Sequence, residues 1–171
     1  MDEVGTQIIQ LLPRLRRYAR ALAGDAAAAD DLVQDTVERA YTKLHLWRRG
    51  SDLRAWLFTI MHNIFVNQVR SVGSQITVAL EDHPADMPSR ADQADMLEVR
   101  DIDAALHRLP SEQREVLLLV GLEHLSYAEA AKTLGIPIGT VMSRLARGRE
   151  RLRLIMQPDA APAKLGLKVV K

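Results

Sequence analysis

Apolar residues recur at three- and four-residue spacing near the start of the chain: Ile8, Leu11, Leu12, Leu15, Tyr18, Ala19 and Leu22. This is the stripe of an amphipathic helix that lays one face on a core. Pro13 lies inside the stripe, so the helix either starts there or kinks there. Gly24 can end it, and Asp25 can cap a second helix over roughly residues 26–46. There Ala29, Val33, Val37, Ala40 and Leu44 form one stripe, while Asp31, Gln34, Asp35 and Glu38 form an acidic one facing away. Arg48-Arg49-Gly50-Ser51 breaks the pattern, and Ser51 or Asp52 can cap a third helix. In it Leu53, Trp56, Leu57, Ile60 and Ile64 face inward, and Asn63, Asn67 and Arg70 share another face.

Periodicity fails from Gly73 to about Met96, a stretch holding Pro84, Pro88 and several Asp, with Ile76-Thr77-Val78 as its only strand-like run. Residues 73–96 read as a flexible acidic linker between a helical domain at 1–72 and another at 97–156. The second domain opens with Ile102, Ala105, Leu106 and Leu109, after which Pro110-Ser111 starts a helix through Val116, Leu117 and Val120. Residues 157–171 read as a frayed tail, and no repeat of fixed period is present. The expected class is all-α, two small domains.

Ser126-Tyr127-Ala128-Glu129 has the form of a capping box, in which the hydroxyl takes the N3 amide and the carboxylate reaches back. Ala130, Ala131 and Leu134 follow on an inward face, and Gly135 supplies a stop. Only Ile136-Pro137-Ile138 separates this short helix from another beginning near Gly139-Thr140. Helix, tight glycine-containing turn, helix is the helix-turn-helix arrangement. On the second helix Val141, Leu145, Gly148, Leu152 and Ile155 form a core face. About a quarter turn away lie Thr140, Ser143, Arg144, Arg147 and Arg151, with Arg149 and Arg153 on the opposite flank. Arginine and hydroxyl side chains near the start of such a helix suit base edges in a major groove. Arginines further along suit phosphates, which position the helix without reading sequence.

Composition narrows the function. Hydrophobic residues are 47% of the 171 and aromatics 4%, which favours packed helices over a β sandwich. The net charge of +1 is uneven: +2 over 1–75, −4 over 76–100 and +3 over 101–171. There is no cysteine, which removes disulfide frameworks, thiolate zinc sites and thiol nucleophiles. The longest unbroken apolar run, 116–122, is too short to span a bilayer, and the acidic start lacks the look of a signal peptide, so a cytoplasmic protein is expected. His45, His62, His83, His107 and His124 lack metal-ligand spacing, and no phosphate loop or nucleophile elbow is present. No enzyme, cofactor or metal is expected.

Two blocks in the first half, Ala29-Asp30-Asp31-Leu32-Val33-Gln34-Asp35-Thr36 and Leu53-Arg54-Ala55-Trp56-Leu57, closely resemble the promoter-melting domain of bacterial extracytoplasmic-function (ECF) sigma factors. Leu109-Pro110-Ser111-Glu112-Gln113-Arg114-Glu115-Val116 and Gly139-Thr140-Val141-Met142-Ser143-Arg144-Leu145 resemble that family's second domain. The segments around Val120-Gly121 and Ser126–Ala131 are similar to the branch that runs general stress responses.

The resemblance implies specific roles. Asp31, Gln34, Asp35 and Glu38 would dock on core RNA polymerase, where charge complementarity can steer association. Trp47, Arg48 and Arg49 would capture a flipped base of the minus-10 element, and Asn63, Asn67 and Arg70 would read its strand. Thr140, Ser143, Arg144, Arg147 and Arg151 would meet the minus-35 element of promoter DNA. An anti-sigma factor is implied as a further partner. Trp56 falls on the core stripe and is expected to pack inward. The sequence departs from the family pattern at Asn67, at Ser71-Val72-Gly73 and at Ile138, where Thr140 or backbone must cap the last helix. The competing reading is a polymerase-independent helix-turn-helix regulator, which would need a sensor in place of the first helical domain.

Overall fold

The computed structural model describes residues 3–75 and 93–157. Helices α1 (Glu3–Ala23), α2 (Ala26–Thr42) and α3 (Leu53–Gln75) form the first module. Helices α4 (Gln93–His107), α5 (Ser111–Leu117), α6 (Tyr127–Leu134) and α7 (Ile138–Met156) form the second. There is no strand among the described residues. The run Ile76-Thr77-Val78, most of the expected linker and the tail from residue 158 lie outside them. Gln93–Met96, assigned to the linker from sequence, belong to α4.

Local chemistry sets the helix ends. α1 begins ten residues before Pro13 and runs through it, the proline standing at an exposed position. Gly24 takes φ +78, and the Asp25 carboxylate accepts from the Ala28 amide at 3.1 Å, so one helix ends and the next starts within two residues. α2 stops at Thr42 and a short 3-10 turn, Leu44–Leu46, carries the chain on, so the expected helix to residue 46 is divided. Asp52 caps α3 through the Ala55 amide at 3.2 Å, which leaves Ser51 Oγ to donate to the Arg48 carbonyl. A π turn, Leu118–Leu122, extends α5.

The core of the first module holds Ile8, Leu15, Tyr18, Leu22, Leu32, Leu57, Phe58 and Met61, and Tyr18 meets Phe58 edge-on at 4.9 Å between ring centres. Each such side chain contributes roughly 1.5–3 kcal/mol by burial. The same cluster continues through Val116, Leu119, Leu125, Ala130, Val141 and Leu145 of the second module. The two modules are packed against each other, with α3 beside α6 and α1 beside α4 and α5. Ile102, expected to face inward on α4, is exposed. Ala105 is buried there with Leu106 half-buried beside it, and Leu109 is buried two residues past the end of the helix.

Candidate functional site

Surface chemistry concentrates on three places. The first is the outer face of α2, where Asp31, Gln34, Asp35 and Glu38 are all exposed while Ala29, Leu32, Val33, Thr36 and Ala40 are buried. Thr36 is fully enclosed and donates its hydroxyl to the Leu32 carbonyl at 2.6 Å, so a polar side chain lies inside the stripe without an unmet bond. The acidic residues make no ion pair among the described residues and project into solvent as an anionic strip.

The second place is the connection from α2 to α3. Arg48 and Arg49 are exposed there, as the sequence suggested. Trp47 is not a free platform: it is half-buried against Trp56, with ring centres 6.5 Å apart and planes at 45°. Trp56 is itself half-buried, so the expected assignment of one tryptophan to the core and one to a ligand becomes a shared ring pair. The indole Nε1 of Trp47 is buried and has no hydrogen-bond partner among the described residues. Val4, Leu44, His45, Trp47 and Arg49 line a cleft of about 290 Å³ at this point. Further along α3, Asn63, Asn67 and Arg70 are exposed on one side, at spacings of four and three residues.

The third is the helix-turn-helix. Both halves of the capping box are formed: Ser126 Oγ accepts from the Glu129 amide at 3.1 Å, and the Ser126 amide donates to the Glu129 carboxylate at 2.7 Å. Gly135 takes φ +64 and closes α6. α7 starts at Ile138, one residue earlier than expected, and its first bonds run from the Thr140 and Val141 amides to the Pro137 carbonyl. Backbone, not the Thr140 side chain, caps it. Val141, Leu145 and Gly148 are buried as the core face. Gly148 faces Leu117, whose Cδ1 would stand 3.0 Å from a Cβ placed there, so the absent side chain brings α5 and α7 together.

On the outer side of α7, Ser143, Arg147 and Arg151 are exposed and Thr140 is half-buried. Ser143 Oγ donates to the Thr140 carbonyl at 3.1 Å. Arg144 differs from its neighbours: it is partly covered and reaches Glu112 of α5 at 3.7 Å, which draws it toward the body of the module. Arg153 is held by Glu150 at 2.8 Å, an exposed pair, while Arg149 is open to solvent. Ile138 and Met142, one turn apart, are 49% and 51% exposed on the same helix.

Sequence reasoning missed a set of polar contacts between the modules. Glu123 is fully buried, and its two carboxylate oxygens are each taken by an arginine of α1: Arg14 Nε at 2.9 Å and Arg17 Nη2 at 3.1 Å. Its backbone carbonyl accepts from Arg14 at 3.3 Å and Arg54 at 3.2 Å. His62 of α3 lies 2.6 Å from the buried Glu115 of α5. Arg114 donates to the Leu22 carbonyl at the end of α1 and to the carbonyls of Leu106, His107 and Leu109. Burial lowers the Arg114 pKa from its ordinary value, against the opposing pull of Asp103 and Glu115. The available signal was the placement of Glu115 and Glu123 at the ends of the apolar run 116–122.

Comparison with known proteins agrees with this layout. The family model for the Sigma2 domain of PhyR matches residues 8–62, and that for Sigma-70, region 4 matches residues 100–152. The ECF RNA polymerase sigma factor EcfG of Rhodopseudomonas palustris is 38% identical over 160 residues, which span 94% of this chain and 88% of that protein. The ECF sigma factor SigC of Mycobacterium tuberculosis is 35% identical over 144 residues, spanning 81% of this chain and 76% of that protein. Among solved structures, the sigma factor RpoE of Bartonella quintana, crystallised with the anti-sigma factor NepR, matches with a TM-score of 0.80 and 35% identity over 94% of this chain and 100% of that one. The chain belongs to the ECF RNA polymerase sigma factors.

Proposed function

We propose that the chain binds core RNA polymerase, directs it to promoters with particular minus-35 and minus-10 elements, and helps to open them. The observation that carries this is the presence in one chain of an exposed anionic face on α2 and an exposed cationic face on α7, each on a module matched by a sigma-factor family model. Polymerase performs the chemistry in the cytoplasm, and this chain contributes binding energy and position. A polymerase-independent regulator would have a sensor where α1–α3 stand, and these helices match the Sigma2 domain instead.

In this reading Asp31, Gln34, Asp35 and Glu38 face polymerase. Arg49 lines the cleft beside Trp47, with exposed Arg48 next to it in the chain, and a volume of about 290 Å³ suits a flipped base. Asn63, Asn67 and Arg70 follow the minus-10 strand. On α7, Ser143 and Arg147 stand open for base edges, and Arg151 and Arg149 for phosphates, whereas Arg144 must first leave Glu112. An anti-sigma factor is the expected inhibitor, as the solved relatives RpoE and CnrH are complexed with NepR and CnrY.

Charge reversal at Asp31 and Asp35 tests the docking face. The double Asp→Lys variant is expected to keep its helix content and to lose most of its retention on immobilised core polymerase. Retention equal to the unaltered chain would remove this face from the account.

A further inference from the structure

Ile138 and Met142, one turn apart on α7, keep large apolar side chains in solvent, while Val141 and Leu145 of the same turns are buried. Met142 stands about 100° round the helix from Ser143. Gly139 and Ala146, a turn before and a turn after these two, are exposed and small, and a Cβ placed at Gly139 would meet nothing within 4 Å. The strip between Met142 and Ser143 is therefore low, and a groove floor can approach both side chains. The surroundings decide what can cover them. Arg147, Arg149 and Arg151 are exposed on the same helix without an ion pair among the described residues. The only carboxylate of α7, Glu150, is held by Arg153 at 2.8 Å. An apolar protein surface laid over Met142 would crowd those guanidinium groups without supplying anions, which is costly. Duplex DNA supplies both partners: phosphates at the rims of the major groove, and on its floor the C5-methyl group of thymine. The unbranched, polarisable side chain of methionine can adapt its shape to such a methyl.

Ser143 narrows the preference further. Its hydroxyl hydrogen is committed to the Thr140 carbonyl at 3.1 Å, so the oxygen faces outward with lone pairs only. An acceptor there seeks an exocyclic amine, which adenine and cytosine present in the major groove and guanine and thymine do not. Only an A·T pair carries an amine and a methyl group together. We infer that Met142 and Ser143 read one A·T pair of the minus-35 element: Met142 packs on the thymine methyl, and Ser143 accepts from the adenine amine. Ile138, four residues before Met142, adds apolar surface on the same flank. The identity of the element rests on the proposed promoter function, and the test below separates the two.

The probe is a set of promoter duplexes, selected by the holoenzyme from a library, in which each thymine of the minus-35 element is replaced in turn, on either strand, by deoxyuridine. The replacement removes the methyl group and nothing else. At one pair the holoenzyme should bind the deoxyuridine duplex about fourfold more weakly, the factor for losing one buried methyl-sized group. Met142→Ala should bind thymine and deoxyuridine equally at that pair, with unchanged helix content because the side chain is exposed. Met142→Leu should keep the distinction. Ser143→Ala should remain sensitive to the methyl and lose preference for adenine at the same pair. Indifference of the unaltered chain to deoxyuridine at every minus-35 position would overturn the inference, while promoter-selective binding would leave the proposed function standing. A deoxyuridine penalty that persists in Met142→Ala would also overturn it, since the penalty would then come from the shape or stiffness of the duplex. Weaker retention of Met142→Ala on core polymerase without DNA would assign the side chain to a protein surface instead. Absence of any promoter-selective binding by the unaltered chain would overturn both readings.

Discussion

Tyr18 is the largest fully enclosed side chain of α1, and its hydroxyl has no hydrogen-bond partner among the described residues. Burial, reinforced by Glu115 and then Glu123, holds that phenol well above its ordinary pKa of 10.0. A group whose pKa is raised by folding stabilises the fold fully below its unfolded value and loses that contribution as pH rises toward the folded one. Stability should therefore fall above pH 10, and Tyr18→Phe should flatten that alkaline limb in denaturant titrations. At neutral pH the same substitution should be neutral or mildly stabilising, since it removes an unsatisfied buried polar group and retains the ring that meets Phe58. Gly24 predicts the opposite sign. Its φ of +78 and the nearby His107 ring leave no room for a side chain, so Gly24→Ala should cost at least about 1–2 kcal/mol, read as a lower thermal midpoint. A midpoint within experimental scatter of the unaltered protein would mean that the α1–α2 turn and α4 are not held together as described.

Among the helices, α6 and α7 were the most legible from sequence, because their signals are local. The capping box, the left-handed glycine and the stripe through Val141 and Leu145 each require only neighbouring residues to be recognised. α3 was half legible. Its stripe of Leu53, Leu57, Ile60 and Ile64 was visible, but Phe58, Met61 and Phe65 are buried as well. Arg54, Phe58 and His62, spaced four apart, meet Glu123, Tyr18 and Glu115. A helix with partners on two sides has no polar face wide enough to announce the second one. The pairing of the Trp47 ring with Trp56 was hidden for a related reason, since a bend in the chain that no periodicity encodes brings the two together. Two expectations belong to this scale. Ser126→Ala should cost about 1 kcal/mol, seen as a lower urea midpoint with unchanged slope, because one half of the capping box is lost. On α7, Arg147→Ala should flatten the minus-35 preference at particular bases by roughly 1–3 kcal/mol, while Arg151→Ala should weaken all sequences alike and lower the salt slope by about one unit. Competitive DNA binding by holoenzyme at several salt concentrations separates the two, and equal flattening by both would place the reading face wrongly.

At the scale of the whole molecule, the sequence made the two modules visible but not their union. The expectation of separate domains came from a break in periodicity. The docking depends on pairs more than fifty residues apart, such as His62 with Glu115 and Arg14 with Glu123, whose partners cannot be matched from one sequence. Those pairs give the chain a single continuous core and a charged seam through it. The anionic face of α2 and the cationic face of α7 stay outside that core, available to partners. One property is central: this chain turns core polymerase into a promoter-selective enzyme. Run-off transcription by core RNA polymerase on a promoter library, with and without the chain, tests it directly. The expected result is a set of transcripts that depends on the chain, shares paired minus-35 and minus-10 elements, and is lost with the Asp31→Lys, Asp35→Lys variant. Transcripts no different from those of core polymerase alone, at chain concentrations that saturate DNA binding, would contradict it.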